Sequence, residues 1–307
     1  MNTQGKLEFK RFLKSFIIIS ACSLFADLAV GTSLKYLYNH QTSGFQYRTS
    51  YAIDSTKAEY VVLGSSRASH HYDPHIFEQK LNASFYNCGR DAQGIFYSCA
   101  VASAIIDRYN PKCVIIDIRP GEFTGNDEGK LASLLPHHNN ATIHEFLKYN
   151  GRFESLKLLS NVYPYNSIFT SLLLGVTSFN KKRAGDYKGY IELTGAVKDS
   201  LTDLKESNIV DKNKVKELTR ILFKLDKRHI PSVIVMSPLH YNYSNNALTI
   251  KLCRQICSKF KSTKFVYFGD APICKQGKYF MDNWHLNAAG AKLFSEAMIS
   301  PILSVTK

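Results

Sequence analysis

The sequence predicts an α/β fold in which a parallel sheet is covered by helices on both faces. Two observations carry this prediction. Short apolar runs alternate along the chain with stretches of helical periodicity, and several of these runs are apolar at every position. A continuous apolar run is typical of a central parallel strand, because both faces of such a strand are buried. The five predicted strands span residues 59–64, 83–89, 112–118, 230–238 and 263–270.

Helices are predicted between these strands, which requires right-handed crossover connections. The helix at 73–81 has Asp73 as its expected N-cap and Pro74 at its first position. The other helices span residues 95–109, 212–227, about 250–260, and from near Asn287 to about 299. Residues 120–210 break this rhythm. They are predicted as an insertion over the carboxyl end of the sheet, either a lid or substrate platform or an ordinary helical decoration.

The N-terminus predicts a membrane anchor. Four basic residues precede the apolar run "FIIISACSLFADLAV" at 16–30, which with its flanks approaches the roughly 20 residues that a bilayer span needs. Because basic residues stay on the cytoplasmic side, the rest of the chain is expected outside the cell membrane, on a single span. We therefore expect a tail and uncleaved signal-anchor at 1–35, and one globular domain at 36–307 that opens with a polar lead-in over 36–57.

Other interpretations of this segment stay open. It is also compatible with a cleaved signal peptide, with a lipoprotein processing box ending at Cys22, or with a buried helix of a soluble domain. Asp27 lies toward the outer end of the apolar run, where a carboxylate is costly in hydrocarbon. It indicates either a position at the membrane interface or a partner helix in the membrane.

Composition narrows the class of protein. The formal net charge of +14 comes from scattered lysines without a compact basic-aromatic cluster, which favours a membrane or polymer setting over nucleic acid. The seven cysteines do not form a disulfide-scaffold pattern, although one disulfide is compatible with an exported domain. No Cys/His set has the spacing of a zinc site, so we expect neither a metal nor an organic cofactor.

Two motifs carry the predicted chemistry. Ser65, Ser66 and Arg67 follow the first strand, at the sheet edge where ligands of parallel α/β proteins bind. Far downstream, Asp282 precedes His285 by three positions, just before the terminal helix. This spacing lets the carboxylate accept the imidazole Nδ1–H, which leaves Nε2 free to take a proton from a serine. Either motif alone is weak evidence, but together they predict a serine nucleophile.

The chain resembles the SGNH (GDSL-type) hydrolase superfamily from about residue 59 to the C-terminus. "LGSSR" stands where the family has its G-D-S block, and "DNWHLNAAG" is similar to its terminal D-x-x-H block. The resemblance implies a flavodoxin-like three-layer α/β/α sandwich. It also implies Ser66 as the nucleophile, with Asp282 and His285 completing a triad, whereas Ser65 stands in place of the family's aspartate.

The oxyanion hole is where the chain departs from this family. The family glycine after the second strand is replaced by Ala92, whose backbone N–H would serve together with that of Ser66. The family's G-x-N-D block is degenerate here, and Asn126 of "GND" is the candidate for its asparagine. Arg67 or another loop donor is the alternative.

The resemblance implies a membrane-anchored serine esterase or O-acyltransferase, similar to envelope acyl-transfer proteins. Its expected substrate is an acyl ester, most simply acetyl, of an envelope glycan or polysaccharide, and an integral-membrane acyltransferase is a candidate partner. The alternative is a non-catalytic glycan-binding or assembly protein on the same fold. Among the remaining polar residues, His70 and His71 are predicted as helix-entry surface residues and Asp117 as a structural hydrogen-bonding group. Trp284 is predicted either to wall a sugar pocket or to pack beside His285.

Overall fold

The computed structural model describes residues 3–125, 130–176, 186–198 and 200–306. Seven strands are present in these ranges: β1 (Tyr60–Leu63), β2 (Phe85–Asn87), β3 (Cys113–Asp117), β4 (Asp186–Tyr187), β5 (Tyr190–Ile191), β6 (Ser232–Met236) and β7 (Thr263–Tyr267). Five of them form the central sheet, in the order β2-β1-β3-β6-β7, and β4 and β5 form a separate antiparallel hairpin. Every pair in the central sheet is parallel, and this is the order of a flavodoxin-like doubly wound sheet.

Eleven α-helices lie in the described ranges. They are α1 (Thr3–Asn39), α2 (Gly44–Ser50), α3 (Ser66–His71), α4 (Pro74–Leu81), α5 (Ile95–Arg108), α6 (Ala141–Leu147), α7 (Glu154–Lys157), α8 (Phe169–Val176), α9 (Lys212–Lys227), α10 (Leu248–Cys257) and α11 (Ala288–Thr306). Short 3-10 turns join α6, α7 and α8, and one π-helical turn spans Tyr51–Ser55.

The sheet separates two apolar cores, as a three-layer sandwich requires. Side chains of β1 alternate between them, with Val61 and Leu63 in one core and Tyr60 and Val62 in the other. The first core is closed by α5, α9 and α10, and the second by α3, α4 and α11. The predicted α/β three-layer fold is confirmed, and each of the five predicted strands contains an observed strand.

The helix predictions hold in part. Asp73 caps α4 by accepting the His75 N–H at 3.0 Å, as predicted, and α9 begins and ends at its predicted residues. The polar lead-in expected over 36–57 is wrong, because this segment contains the end of α1, then α2 and the π-helical turn. Arg48 explains the error: it is buried and donates to the Gly189 carbonyl oxygen, so a polar side chain belongs to the folded interior.

The six cysteines of the globular part are buried and Cys22 on α1 is exposed, and all seven are free thiols. Burial raises the pKa of the thiols of Cys88 and Cys113, which keeps them protonated at neutral pH. The disulfide that the sequence left open is therefore not formed. These cysteines act as small core residues.

Helix α1 is long and apolar enough to cross a membrane, by its length and composition. Most of its side chains from Gln4 to Ala26 are exposed. Beyond this point one face of the helix packs against the segment around Ser160–Leu172, with Leu34 and Tyr38 buried against Tyr165 and Leu172. Helix α1 thus has an exposed first part, up to Ala26, which we call the bare part, and a second part that packs against the globular fold.

Candidate active site

A sharp turn after β1 places Ser66 at the carboxyl edge of the sheet. Gly64 has φ +151°, a conformation that other residues rarely adopt, and a Cβ there would lie 2.9 Å from the Ala68 Cβ and 3.0 Å from the Asp117 Cβ. Glycine therefore lets α3 start directly against β3. Ser65 is the N-cap of α3, and its Oγ accepts the Arg67 N–H at 3.4 Å, so Ser66 is the first residue of the helix.

Ser66, His285 and Asp282 lie in one hydrogen-bonded row. Ser66 Oγ is 2.7 Å from Nε2 of His285, and Nδ1 of the same ring is 2.9 Å from both carboxylate oxygens of Asp282. Because a carboxylate only accepts, Nδ1 carries the proton and Nε2 presents its lone pair to the serine. This is the arrangement that activates a serine for attack on an acyl carbon.

Asp282 is held ionised by the loop that carries it. Its Oδ1 accepts the backbone N–H groups of Trp284 at 2.8 Å and of His285 at 2.9 Å. Partial burial works against ionisation, but the hydrogen bonds from His285 and from the Trp284 N–H outweigh it and lower the pKa of the Asp282 carboxyl. A permanent negative charge thus faces Nδ1, where it would stabilise a protonated imidazole.

The predicted oxyanion donors are placed only in part. Among the described residues, neither the Ser66 N–H nor the Ala92 N–H donates to another protein group. Ala92 lies in the turn after β2 with φ +60°, in the left-handed region, and is exposed. Asn126 lies outside the described residues, so its candidacy stays a prediction.

The guanidinium of Arg67 is buried and binds Asp117 and Ser237 instead of a triad residue. Its guanidinium is 3.4 Å from Oδ1 of Asp117 and donates to the Ser237 carbonyl oxygen and, at 2.8 Å, to Ser237 Oγ. Asp117 also accepts the Tyr72 hydroxyl at 2.7 Å, and all four side chains are buried. Arg67 is therefore wrong as a substitute oxyanion donor, whereas the structural role predicted for Asp117 is seen.

His71 belongs to the same buried network. Its Nδ1 is 2.9 Å from Ser237 Oγ, and its Nε2 accepts the Leu286 backbone N–H at 3.0 Å. Burial first, and then the nearby charge of Arg67, lower the pKa of His71 well below its ordinary value. The prediction that His70 and His71 are surface residues is wrong, because both are buried. They lie in the last turn of the six-residue helix α3, and the local sequence does not show that this turn faces the interior.

His70 is the second buried histidine of α3. Its Nδ1 is 2.7 Å from the Ile191 carbonyl oxygen, its Nε2 is 3.6 Å from Asp91, and its ring lies edge-on to His285 at 5.5 Å between centroids. Ile191 belongs to the hairpin β4–β5.

The segment just after this hairpin binds the residues that follow His285. The Leu193 carbonyl oxygen accepts the Ala288 N–H, and the Gly195 carbonyl oxygen accepts the side-chain amide of Asn287.

Trp284 lines an open cleft of about 340 Å³ together with Arg119, Pro120, Lys205 and other residues of two loops. Its ring also packs against Tyr241, with 5.1 Å between centroids, so both predicted roles are compatible with its position. A larger cavity of about 500 Å³ lies beside Tyr47, Tyr86 and Lys188, and no triad residue lines either this cavity or the Trp284 cleft.

The described residues contain no group of three or more His, Cys, Asp or Glu side chains arranged to hold a metal ion. No protein-family model and no curated protein match the chain. Among solved structures, it is similar to a Streptococcus pneumonia protein provisionally described as a platelet activating factor, with a TM-score of 0.40 and 11% identity over 94% of this chain and 99% of the other. A Bacteroides fragilis protein provisionally described as an acylhydrolase gives a TM-score of 0.43 and 11% identity over 86% and 98%. Similarity at this level does not identify a function for the chain.

Proposed function

We propose that the protein is a serine esterase or O-acyltransferase that acts on acyl esters, most simply acetyl esters, of an envelope glycan. The single observation that carries this proposal is the row from Ser66 Oγ through His285 to Asp282, with contacts of 2.7 and 2.9 Å. Three side chains from two distant motifs meet in the protonation pattern that nucleophilic catalysis needs.

The proposed reaction has two halves. Nε2 of His285 takes the proton of Ser66 as Oγ attacks the acyl carbon, and the same proton then goes to the departing alcohol oxygen, which leaves an acyl-serine. Water or a sugar hydroxyl next gives its proton to His285 and attacks the acyl carbon. Ser66 recovers a proton when the acyl product leaves. Asp282 fixes the imidazole and stabilises its charged form in both halves.

The developing oxyanion would be held by backbone N–H groups. Those of Ser66 and Ala92 are the proposed donors, because both leave their hydrogen unused within the described protein. A single donor of this kind is worth about 3–4 kcal/mol of the barrier. Asn126 is the proposed third donor.

The proposed setting is the outer surface of the cell membrane. The bare first part of α1 is the candidate span, and the basic residues before it favour a cytoplasmic N-terminus and an extracytoplasmic domain. The cleft that Trp284 lines, next to His285 in the sequence, is the proposed binding site for a sugar ring, and the triad residues lie outside its lining. An integral-membrane acyltransferase remains the proposed partner for the transfer reaction.

A second candidate is a non-catalytic glycan-binding or assembly protein on the same fold. The observation that favours it is the degenerate third motif, which leaves the oxyanion hole without an identified side-chain donor.

A fluorophosphonate probe separates the two candidates, because it reacts covalently with activated serines. We expect labelling of the wild-type protein and none of Ser66→Ala, with Ser65→Ala labelled as the matched control. A folded wild-type protein that resists the probe would favour the binding protein.

A further inference from the structure

Helix α1 is clamped to the globular fold through a single carboxylate. Asp27 accepts four hydrogen bonds from one short segment: from Ser160 Oγ at 2.5 Å, from the Asn161 N–H at 2.8 Å and its Nδ2 at 2.9 Å, and from the Val162 N–H at 3.3 Å. One helical turn later, a Cβ at Gly31 would come within 2.4–2.6 Å of Asn161, so glycine permits this close approach. The clamp fixes how the globular part sits on the helix.

The hydrogen bonds to Asp27 also fix how deep the Ser160 segment lies in the membrane. Asp27 follows Lys14, the last basic residue of the N-terminal cluster, by 13 residues, which at 1.5 Å each is about 20 Å along the helix. A hydrocarbon core is about 30 Å thick. If Lys14 marks the inner boundary, the outer boundary lies about 10 Å beyond Asp27, and this distance is shorter when the Lys14 side chain extends toward the cytoplasm from a deeper backbone position. The Ser160 segment, which binds Asp27, therefore lies within about 10 Å of the outer boundary, the depth to which interfacial apolar faces insert.

The residues just before the clamp are apolar and exposed. Phe153, Leu156 and Leu159 are 59%, 65% and 76% exposed, although the chain buries most of its other large apolar side chains. They lie in and around α7, and Leu159 is the direct neighbour of the clamp residue Ser160. We name these three residues the apolar face. Phe169 and Leu173 on α8, which packs against α1, add further exposed apolar area.

Charges around the apolar face are positive. Lys148, Arg152 and Lys157 are exposed, whereas Glu154, the only acidic residue between them, is buried. Glu154 accepts from Asn150 at 3.0 Å and from the Tyr163 hydroxyl at 2.8 Å, and Lys157 Nζ lies 3.6 Å from its other carboxylate oxygen. Within the described residues, no carboxylate pairs with Lys148 or Arg152. Exposed aromatic and leucine side chains with basic neighbours are the composition of segments that lie in a lipid interface.

We propose that the apolar face inserts into the outer leaflet of the same bilayer that α1 crosses. Phe153, Leu156 and Leu159 would enter the acyl boundary, and Lys148, Arg152 and Lys157 would contact lipid phosphates. The protein would then hold its membrane at two places, the helix and the face, and its globular part would keep one orientation above the surface. This inference rests on the proposed membrane span and is independent of the proposed ester chemistry.

Lipid is the occupant that these observations favour. The face is continuous with the proposed span through Ser160 and Asp27, and its depth follows from the helix itself. Three cations with no exposed acid between them match lipid phosphates. A membrane protein docked on the face is the competing occupant, and the test separates the two.

The test uses the full chain in vesicles of phosphatidylcholine and phosphatidylglycerol, with quencher groups attached to the lipid at shallow or deep positions. Trp284→Phe removes the only native tryptophan, and single tryptophans are then introduced. Leu156→Trp reports on the apolar face. Leu24→Trp, at an exposed position about 15 Å along the helix from Lys14, reports on the middle of the span. Leu293→Trp, an exposed leucine on α11 in the opposite helical layer, is the matched control.

We expect the shallow quencher to reduce Leu156→Trp emission at least twofold, the deep quencher to reduce that of Leu24→Trp, and neither to affect Leu293→Trp. Quenching at position 24 without quenching at 156 would overturn the proposed face and leave the span intact. No quenching at position 24 would overturn the span and the face with it. Equal quenching at 156 and 293 would indicate nonspecific adsorption. Protection of position 156 from the quencher in native membranes, but not in pure lipid, would indicate a protein partner. Either result overturns the proposal.

Discussion

His71 accepts the backbone N–H of Leu286 at 3.0 Å, and Leu286 is the residue that follows His285. The other ring nitrogen of His71 is 2.9 Å from Ser237 at the end of β6. One buried side chain on α3 therefore ties the loop of the proposed general base to the central sheet. The same helix carries Ser66 at its first position, so α3 positions both the proposed nucleophile and the proposed base.

Removing the ring of His71 should disturb the proposed base without touching substrate. His71→Leu leaves the Leu286 N–H without its acceptor in a buried site, which costs about 1–3 kcal/mol of stability, whereas Ser237 Oγ keeps its hydrogen bond from Arg67. We expect kcat for ester cleavage to fall about tenfold or more and KM to change little. His71→Gln, whose amide can still accept from Leu286, should recover part of the loss. A folded His71→Leu protein with wild-type kcat would show that the contact does not position His285.

Stability should depend on pH through His71. Because burial and nearby Arg67, His285 and His70 lower the pKa of His71, the native state keeps the ring neutral while the unfolded chain takes up a proton near pH 6.5. The stabilisation of the native state by the neutral ring of His71 is therefore fully present above pH 6.5. As the pH falls below 6.5, the free energy of unfolding decreases by at most about 1.4 kcal/mol per pH unit from this group. His137, whose pKa burial lowers to about 4, acts in the same direction.

Urea unfolding at pH 7.5, 6.5 and 5.5 isolates this contribution when wild type is compared with His71→Gln. The free energy of unfolding of the variant should fall less steeply between pH 6.5 and 5.5. Parallel pH dependences in the two proteins would contradict a neutral buried His71.

The proposed triad predicts an order of effects on turnover. Ser66→Ala and His285→Ala should each reduce kcat by at least about 10³-fold, because they remove the nucleophile and the general base. Asp282→Asn should also act strongly, since an amide can stabilise the wrong tautomer of His285. Ser65→Ala removes only the α3 cap and should cost about 1 kcal/mol of stability with turnover retained. If Ser65→Ala loses turnover while Ser66→Ala stays active, the nucleophile is Ser65 and not Ser66.

Gly64 is predicted to be intolerant of any side chain. In Gly64→Ala the new Cβ would lie 2.9–3.0 Å from side-chain and backbone atoms of Ala68 and Asp117, at a φ that alanine rarely adopts. We expect a loss of at least about 2 kcal/mol by denaturant unfolding, together with loss of activity. Gly125→Ala is the matched control, since Gly125 also has a positive φ of 77°, but a Cβ there would meet no atom of the described residues within 4 Å. Equal losses in the two variants would mean that the backbone conformation alone, and not the contact with β3, requires glycine.

The sequence predicts the sheet and the row of Ser66, His285 and Asp282 because short-range patterns encode both. Continuous apolar runs mark buried strands, and two local motifs at strand and helix ends mark the row. Local patterns do not predict the buried network of Arg67, His71 and Ser237. Their partners lie about 170 residues away or in backbone groups, and no local pattern reports that a charged side chain is buried. The helices within 36–57 are unpredicted for the same reason, since polar side chains such as Gln41 and Arg48 bond to distant parts of the chain.

Asp27 illustrates the same limit, and it yields a prediction that tests the clamp alone. Asp27→Ala removes the acceptor of the Asn161 and Val162 N–H groups. Because these N–H groups lose their acceptor in the protein, amide hydrogen exchange in peptides covering 158–164 should quicken severalfold or more in membrane-reconstituted protein. Ser33→Ala is the control, because the Ser33 hydroxyl bonds only to Ala29 of its own helix, and it should leave exchange unchanged. Unchanged protection in Asp27→Ala would mean that the buried contacts of Leu34 and Tyr38 suffice to hold the globular part on the helix, and that the carboxylate does not set its orientation.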